Sequence, residues 1–254
     1  MAVALAFALF AGCGGGPARA GATRCWLENG ALVVPAAFGD IAGDFILDLS
    51  APRSLLHLTR AQADGIEAST ARGELVVAGE HLADFPIEVA DLDARSAGFA
   101  TVINGVIGVD ALAGLVVEVG FAPCALTLYR RPPRRLGGSV RWKIVSVDAI
   151  PTLAAAVSDG RSSRAGLFAI DTGRSPVAVA AAALSRPIPP GVDPTGRARL
   201  RALSVAGRLF EDLPADLMSP APTALGGAIG NTVWSRFRMR LDLKRGWLDL
   251  APAK

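Results

Sequence analysis

Two aspartates stand at matching places in this 254-residue sequence. Asp48 closes the apolar run Phe45-Ile46-Leu47, and Asp171 closes Leu167-Phe168-Ala169-Ile170 and is followed by Thr172-Gly173. A carboxylate delivered by the end of an apolar strand is a candidate general acid or base. Two of them held about 3 Å apart cannot both ionise. They share a proton, so one can take a proton from water while the other polarises a carbonyl. Other hydrolytic arrangements are missing. His57 and His81 are the only histidines, too few for a zinc site. There is no Gly-x-Ser-x-Gly elbow, and the glycine run from Gly12 to Gly16 lacks the Lys-Ser/Thr ending of a phosphate loop. No metal and no cofactor are expected. His57 reads as a helix-face or surface residue and His81 as an exposed one. Asp84 and Asp212, each two residues before a proline, read as turn residues, and Trp234, Phe237 and Trp247 as core.

The elements that would position the aspartates occur twice. Leu75-Val76-Val77-Ala78-Gly79 is echoed by Leu203-Ser204-Val205-Ala206-Gly207, and both runs reach a matching turn, Asp84-Phe85-Pro86 and Asp212-Leu213-Pro214. Further on, Gly105-Val106-Ile107-Gly108 matches Gly227-Ala228-Ile229-Gly230. Beyond those glycines the apolar positions keep step: Leu115 with Phe237, Val117 with Met239, Val119 with Leu241. Three blocks in one order indicate an internal duplication with a period too long for a solenoid. Short alternating runs (Leu32 to Phe38, Leu75 to Val77, Ile87 to Val89, Leu241 to Leu250) read as half-buried strands. Leu55 to Ala63 and Val233 to Phe237 read as short helices. The expected fold is all-β: two homologous β-barrel lobes with short helices.

An apolar-apolar-Asp-Thr-Gly loop, followed about sixty residues later by an apolar-apolar-Gly strand, resembles one lobe of a pepsin- or retropepsin-like aspartic peptidase. The resemblance covers nearly all of the chain after about residue 26. It implies that the loop passes beside the glycine strand, with Gly108 and Gly230 at the crossings, and that the lobes bring Asp48 and Asp171 together. It also implies that Thr172 hydrogen-bonds across to the other lobe while Gly173 lets the backbone turn tightly. A hairpin from Gly73 to Val89, its tip near Gly79-Glu80-His81, would be the flap over substrate.

The first half departs from the family pattern. Asp48-Leu49-Ser50 stands where Asp-Thr-Gly or Asp-Ser-Gly is expected. Leu49 cannot supply the hydroxyl, so one crossing hydrogen bond is missing, and Ser50 is tolerable only at negative φ. The flap also lacks a tyrosine, the single Tyr129 lying near the middle of the chain. Two readings follow: an aspartic endopeptidase working through a shared-proton pair and activated water, or a catalytically inactive module that binds peptide or protein in the same cleft.

Hydrophobic residues make up 51% and charged residues 19%, which supports a sizeable core and speaks against disorder. A net charge of +3 gives no case for nucleic acid. Met1 to Phe10 is an apolar run too short to span a bilayer, followed by Ala11-Gly12-Cys13. It looks like a bacterial lipoprotein leader cut before Cys13, or an ordinary signal peptide cut nearby. The chain is therefore expected to be an exported monomer, periplasmic or at the cell surface, held to the membrane by an N-terminal lipid on Cys13. In an oxidising compartment Cys25 and Cys124 are expected to pair. The expected organisation is a leader over 1–20, an N-terminal lobe over 26–129, a Pro- and Arg-rich linker over 130–138, and a C-terminal lobe over 139–254.

Overall fold

The computed structural model describes residues 19–180, 198–218 and 225–253. Cys13 and nearly all of the expected leader lie outside the described residues. The chain opens with β1 (Arg19–Arg24). The first lobe follows as β2 (Trp26–Glu28), β3 (Ala31–Phe38), β4 (Ile41–Leu47), β5 (Leu55–His57), α1 (Leu58–Ala63), β6 (Thr70–Val77), β7 (Glu80–Ala90), α2 (Asp93–Ser96) and β8 (Ile103–Ile107). Next come β9 (Val116–Phe121), β10 (Cys124–Tyr129) and, past the arginine-rich connector, β11 (Val140–Lys143). The second lobe is β12 (Val145–Val147), β13 (Ile150–Ser158), β14 (Ser163–Ile170), β15 (Val177–Ala180), β16 (Ala198–Val205), β17 (Arg208–Met218), β18 (Gly227–Ile229) and α3 (Asn231–Trp234). The last strands are β19 (Phe237–Asp242) and β20 (Trp247–Pro252).

The duplication is visible in the pairing. The first lobe runs β2-β3-β4-β8-β5-β7-β6 and closes through β3–β6; the second runs β12-β13-β14-β18-β15-β17-β16 and closes through β13–β16. Closure removes the free edges that an open sheet would present. The fold is mostly β, two barrels of like topology with few short helices. Matching backbone conformations recur too: Ala78 and Ala206 stand at φ 49° and 50°, Asp84 and Asp212 at φ 50° and 52°. These two aspartates lie within β7 and β17 rather than between strands. They hold a left-handed conformation that Asp tolerates better than most residues.

A third sheet joins the lobes from below, in the order β1-β10-β9-β19-β20-β11. Its centre is the antiparallel pair β9 and β19, in which Val117 faces Leu241 and Val119 faces Met239. Those four side chains are fully buried under the lobes. Strand β1 begins inside the stretch read as leader, because Arg19 to Arg24 has no apolar alternation to announce a strand. The helix expected over Leu55 to Ala63 starts as strand β5, since its first residues pair in parallel with β7. The second expected helix lies slightly earlier, at Asn231–Trp234. Trp234 is buried, whereas Trp247, read as core, is half-exposed under the cations of Arg141 and Lys143. The expected disulfide is formed between Cys25 and Cys124.

Candidate active site

Each aspartate is set by the same backbone device. The Asp48 N–H donates to Ile107 O and the Asp171 N–H to Ile229 O, both at 3.0 Å, where β4 and β14 run parallel to β8 and β18. The glycine after each of those strands is required by contact. A Cβ on Gly108 would lie 2.6 Å from the Arg53 carbonyl, and one on Gly230 would lie 2.5 Å from the Ser175 carbonyl oxygen. The apolar-apolar-Gly signature is thus the footprint of the chain crossing over itself.

The two loops touch. A Cβ on Gly173 would stand 2.5 Å from Asp48 Oδ2, so glycine is needed there for the neighbouring carboxylate rather than for a tight turn; its φ is not positive. Ser50 in the first lobe also keeps a negative φ. Its N–H and hydroxyl both donate to Asp48 Oδ1 at 2.7 Å, and the Gly173 N–H donates to Asp171 Oδ1 at 2.9 Å. Thr172 Oγ1 donates to Leu47 O at 2.6 Å and accepts from the Leu49 N–H at 3.1 Å. Leu49 is fully buried and apolar, so no reciprocal hydroxyl reaches the second lobe.

Sequence reasoning missed the partners of the outer oxygens. Arg95 of α2 binds Asp48 Oδ2, and the Arg174 Nε sits 2.6 Å from Asp171 Oδ2. Arg174 follows the Asp-Thr-Gly triplet and could have been noticed. Arg95, 47 residues from its partner, leaves no local signal. The segment carrying Arg95 is well anchored. His57 Nε2 lies 3.2 Å from Asp93 Oδ1, and Asn29 donates to Ala97 O at 3.0 Å. The Thr101 N–H and hydroxyl reach Glu28 at 2.9 and 2.8 Å. The Thr101 backbone and the Trp26 side chain lead in holding the Glu28 carboxyl down to about 2. His57 is therefore a buried latch residue at the N-cap of α1, rather than the helix-face or surface residue expected. Asn231 was also missed; its amide donates to Gly30 O at 2.9 Å and Thr172 O at 2.8 Å, tying the lobes beside the site.

Burial pushes the Asp171 carboxyl up to about 6, with the nearby Asp48 charge adding to the rise and Arg174 opposing it. A cleft of about 600 Å³ opens beside Asp48, bounded also by Ser50, Arg95, Gly173 and Arg174. Glu88 and Asp216 line it from equivalent places on β7 and β17.

The hairpin read as a flap has its other end at the cleft. Glu88, near the end of β7, lines the cleft, while the tip at Ala78 and Gly79 packs on Gly21 of β1 in the lower sheet. Glu80 is buried beside Arg130 at 2.5 Å, and His81 pairs at the surface with Glu74 at 3.1 Å. Gly79, Glu80 and His81 therefore do not cover the aspartates. Pairing of β6 with β3 lays the hairpin along the barrel wall.

No family model matches the chain, and no curated protein matches it. Among solved structures it is similar to the aspartic proteinase from Irpex lacteus, at 13% identity and a TM-score of 0.57, covering 92% of this chain and 97% of that one. The chain therefore has the two-lobed fold of a pepsin-like aspartic proteinase.

Proposed function

We propose that this is an exported, lipid-anchored envelope protein that binds an extended peptide or protein segment between its lobes without cutting it. One observation carries the reading: a guanidinium occupies the outer oxygen of each aspartate, Arg95 on Asp48 and Arg174 on Asp171. A hydrolytic pair works by sharing one proton over a water held between the carboxylates. Here Arg174 instead opposes protonation of Asp171, and both arginines line the cleft in which a substrate would lie. Ser50 further engages the remaining Asp48 oxygen, and Leu49 removes half of the interlobe grip. The likeness to an aspartic proteinase suggests a peptide as the ligand. The protein works as a monomer, without cofactor, metal or nucleic acid.

A second reading, an aspartic endopeptidase using Asp48 and Asp171, is favoured by the surviving Thr172 bonds and by Asp171 standing near 6, a value suited to a general acid. A broad peptide library, incubated from about pH 3 to 7 and scored for both retention and cleavage, separates the two. Retention of intact peptides supports the binding reading. Cleavage by the wild type that is lost in Asp171→Asn overturns it in favour of the peptidase.

A further inference from the structure

We infer that the outer face of the lower sheet, with the arginine connector across it, is a docking surface for an anionic lipid bilayer, and that the cleft points away from the membrane. The inference rests on the envelope placement proposed above and is independent of what the cleft does with its ligand.

The charge on this face is one-sided for a structural reason. Side chains on β9, β19, β20 and β11 alternate between the lobes and the outside, and the outward acids are Glu118, Asp242 and Asp249. All three are largely buried, at 4%, 9% and 3% exposure, beneath cations. Arg238 and Arg240 bind Glu118, Arg245 sits 3.0 Å from Asp242, and Arg141 sits 2.7 Å from Asp249 with Arg135 at 3.9 Å. What remains at the surface is guanidinium. The connector lies on this face, its Arg134 carbonyl accepting from Arg240 at 2.5 Å and Leu136 buried. Arg130, Arg131, Arg134 and Arg135 are all exposed. Among the described residues, Arg131 and Arg134 have no acidic partner.

Two further observations select a bilayer as the partner. First, the backbone of Arg19, where the described chain begins, pairs with Tyr129, the residue before Arg130. The apolar run Met1 to Phe10 and Cys13 precede it directly. The six residues from Cys13 to Arg19 span at most about 20 Å, so an anchor there would keep the connector within reach of headgroups. A single lipid chain holds a protein only marginally, and a basic surface supplies the second signal. Second, Arg130 meets Glu80 at one end of β7 while Glu88 lines the cleft near the other. At about 3.3 Å per residue that puts the cleft up to about 25 Å from the basic face.

The test is co-sedimentation of the full chain with vesicles of phosphatidylglycerol and phosphatidylethanolamine, against vesicles of phosphatidylcholine. The neutral vesicles report whatever the apolar N-terminal run contributes. Partitioning onto the anionic vesicles should exceed the neutral baseline by about tenfold or more at low salt and fall towards it near 0.5 M, on the order of the screening expected for exposed charges. Arg131→Gln with Arg134→Gln should reduce the anionic partitioning about tenfold. Arg161→Gln with Arg164→Gln, the same charge change at the exposed end of the β13–β14 hairpin, should leave it unchanged. Equal partitioning onto both vesicle types, or equal loss from both double variants, would overturn the proposal. Peptide retention in the cleft is read in a separate assay, so the two ideas fail independently.

Discussion

The hydroxyl of Thr172 in the second lobe donates a 2.6 Å hydrogen bond to the carbonyl of Leu47 in the first. With the Leu49 N–H bound to the same oxygen at 3.1 Å, this one side chain serves two buried backbone groups across the lobe boundary. Its counterpart position holds Leu49, so the lobes are aligned at the site by one hydroxyl where the family pattern has two.

Thr172→Val keeps the shape and strands both backbone groups. It should cost about 2–3 kcal/mol, given the penalty for unpaired buried donors and acceptors. Chemical denaturation would show the midpoint falling, with Thr172→Ser close to wild type. An unchanged midpoint in the valine variant would mean the contact carries no stability.

Asp171 gives a pH signature whose sign can be worked out. Its folded value of about 6 lies above the ordinary 3.8, so the folded state holds the proton more tightly than the unfolded chain. That stability is fully present below about pH 4 and is lost as pH rises through about 6, a change of about 3 kcal/mol. Asp171→Asn removes the dependence. Thermal unfolding at a series of pH values should show the variant gaining on wild type between about pH 4 and 7. A constant difference across that window contradicts the assignment.

Gly173→Ala places a methyl 2.5 Å from Asp48 Oδ2 and 3.0 Å from the Arg95 guanidinium. The Asp48 carboxylate and the Arg95 guanidinium must shift, and a loss of about 2 kcal/mol is expected from overpacking. Gly137→Ala, where the added Cβ meets nothing within 4 Å, should be within about 0.5 kcal/mol of wild type by the same assay. Equal effects at the two sites would refute the close approach.

The Cys25–Cys124 bond closes a segment of sequence separation 99. Loop-closure reasoning gives about 5 kcal/mol for a ring of that size. Reduction, or Cys25→Ala with Cys124→Ala, should lower the unfolding temperature by several degrees, read by calorimetry with and without reductant.

The duplicated blocks made the lobes legible, because Gly108, Gly230 and the aspartates are fixed by chain crossings that tolerate few residue types. Strands β9 and β19 were legible as equivalent apolar runs of the two halves, but not their pairing into one sheet that joins the lobes, which puts Val117 opposite Leu241 rather than Met239. Strand β1 was not, since Arg19 to Arg24 carries no alternation. The flap assignment failed for a different reason. Sequence locates a hairpin and its turn, but which end meets the cleft depends on β6 pairing with β3, a contact between distant residues. Arg95 and His57 were hidden in the same way. Each acts through a partner far along the chain, with no periodicity or motif to join them.

Both lobes show one strand order, and a single chain runs through them by way of the arginine connector. In an assembly of two identical chains, one codon change at this threonine would strip the hydroxyl from both loops at once. Fusion breaks that bond between copies. A leucine at 49 leaves the threonine at 172 untouched, and each loop is then free to acquire its own cation. The covalent join is what allowed a symmetric pair of acids to become two unlike sites.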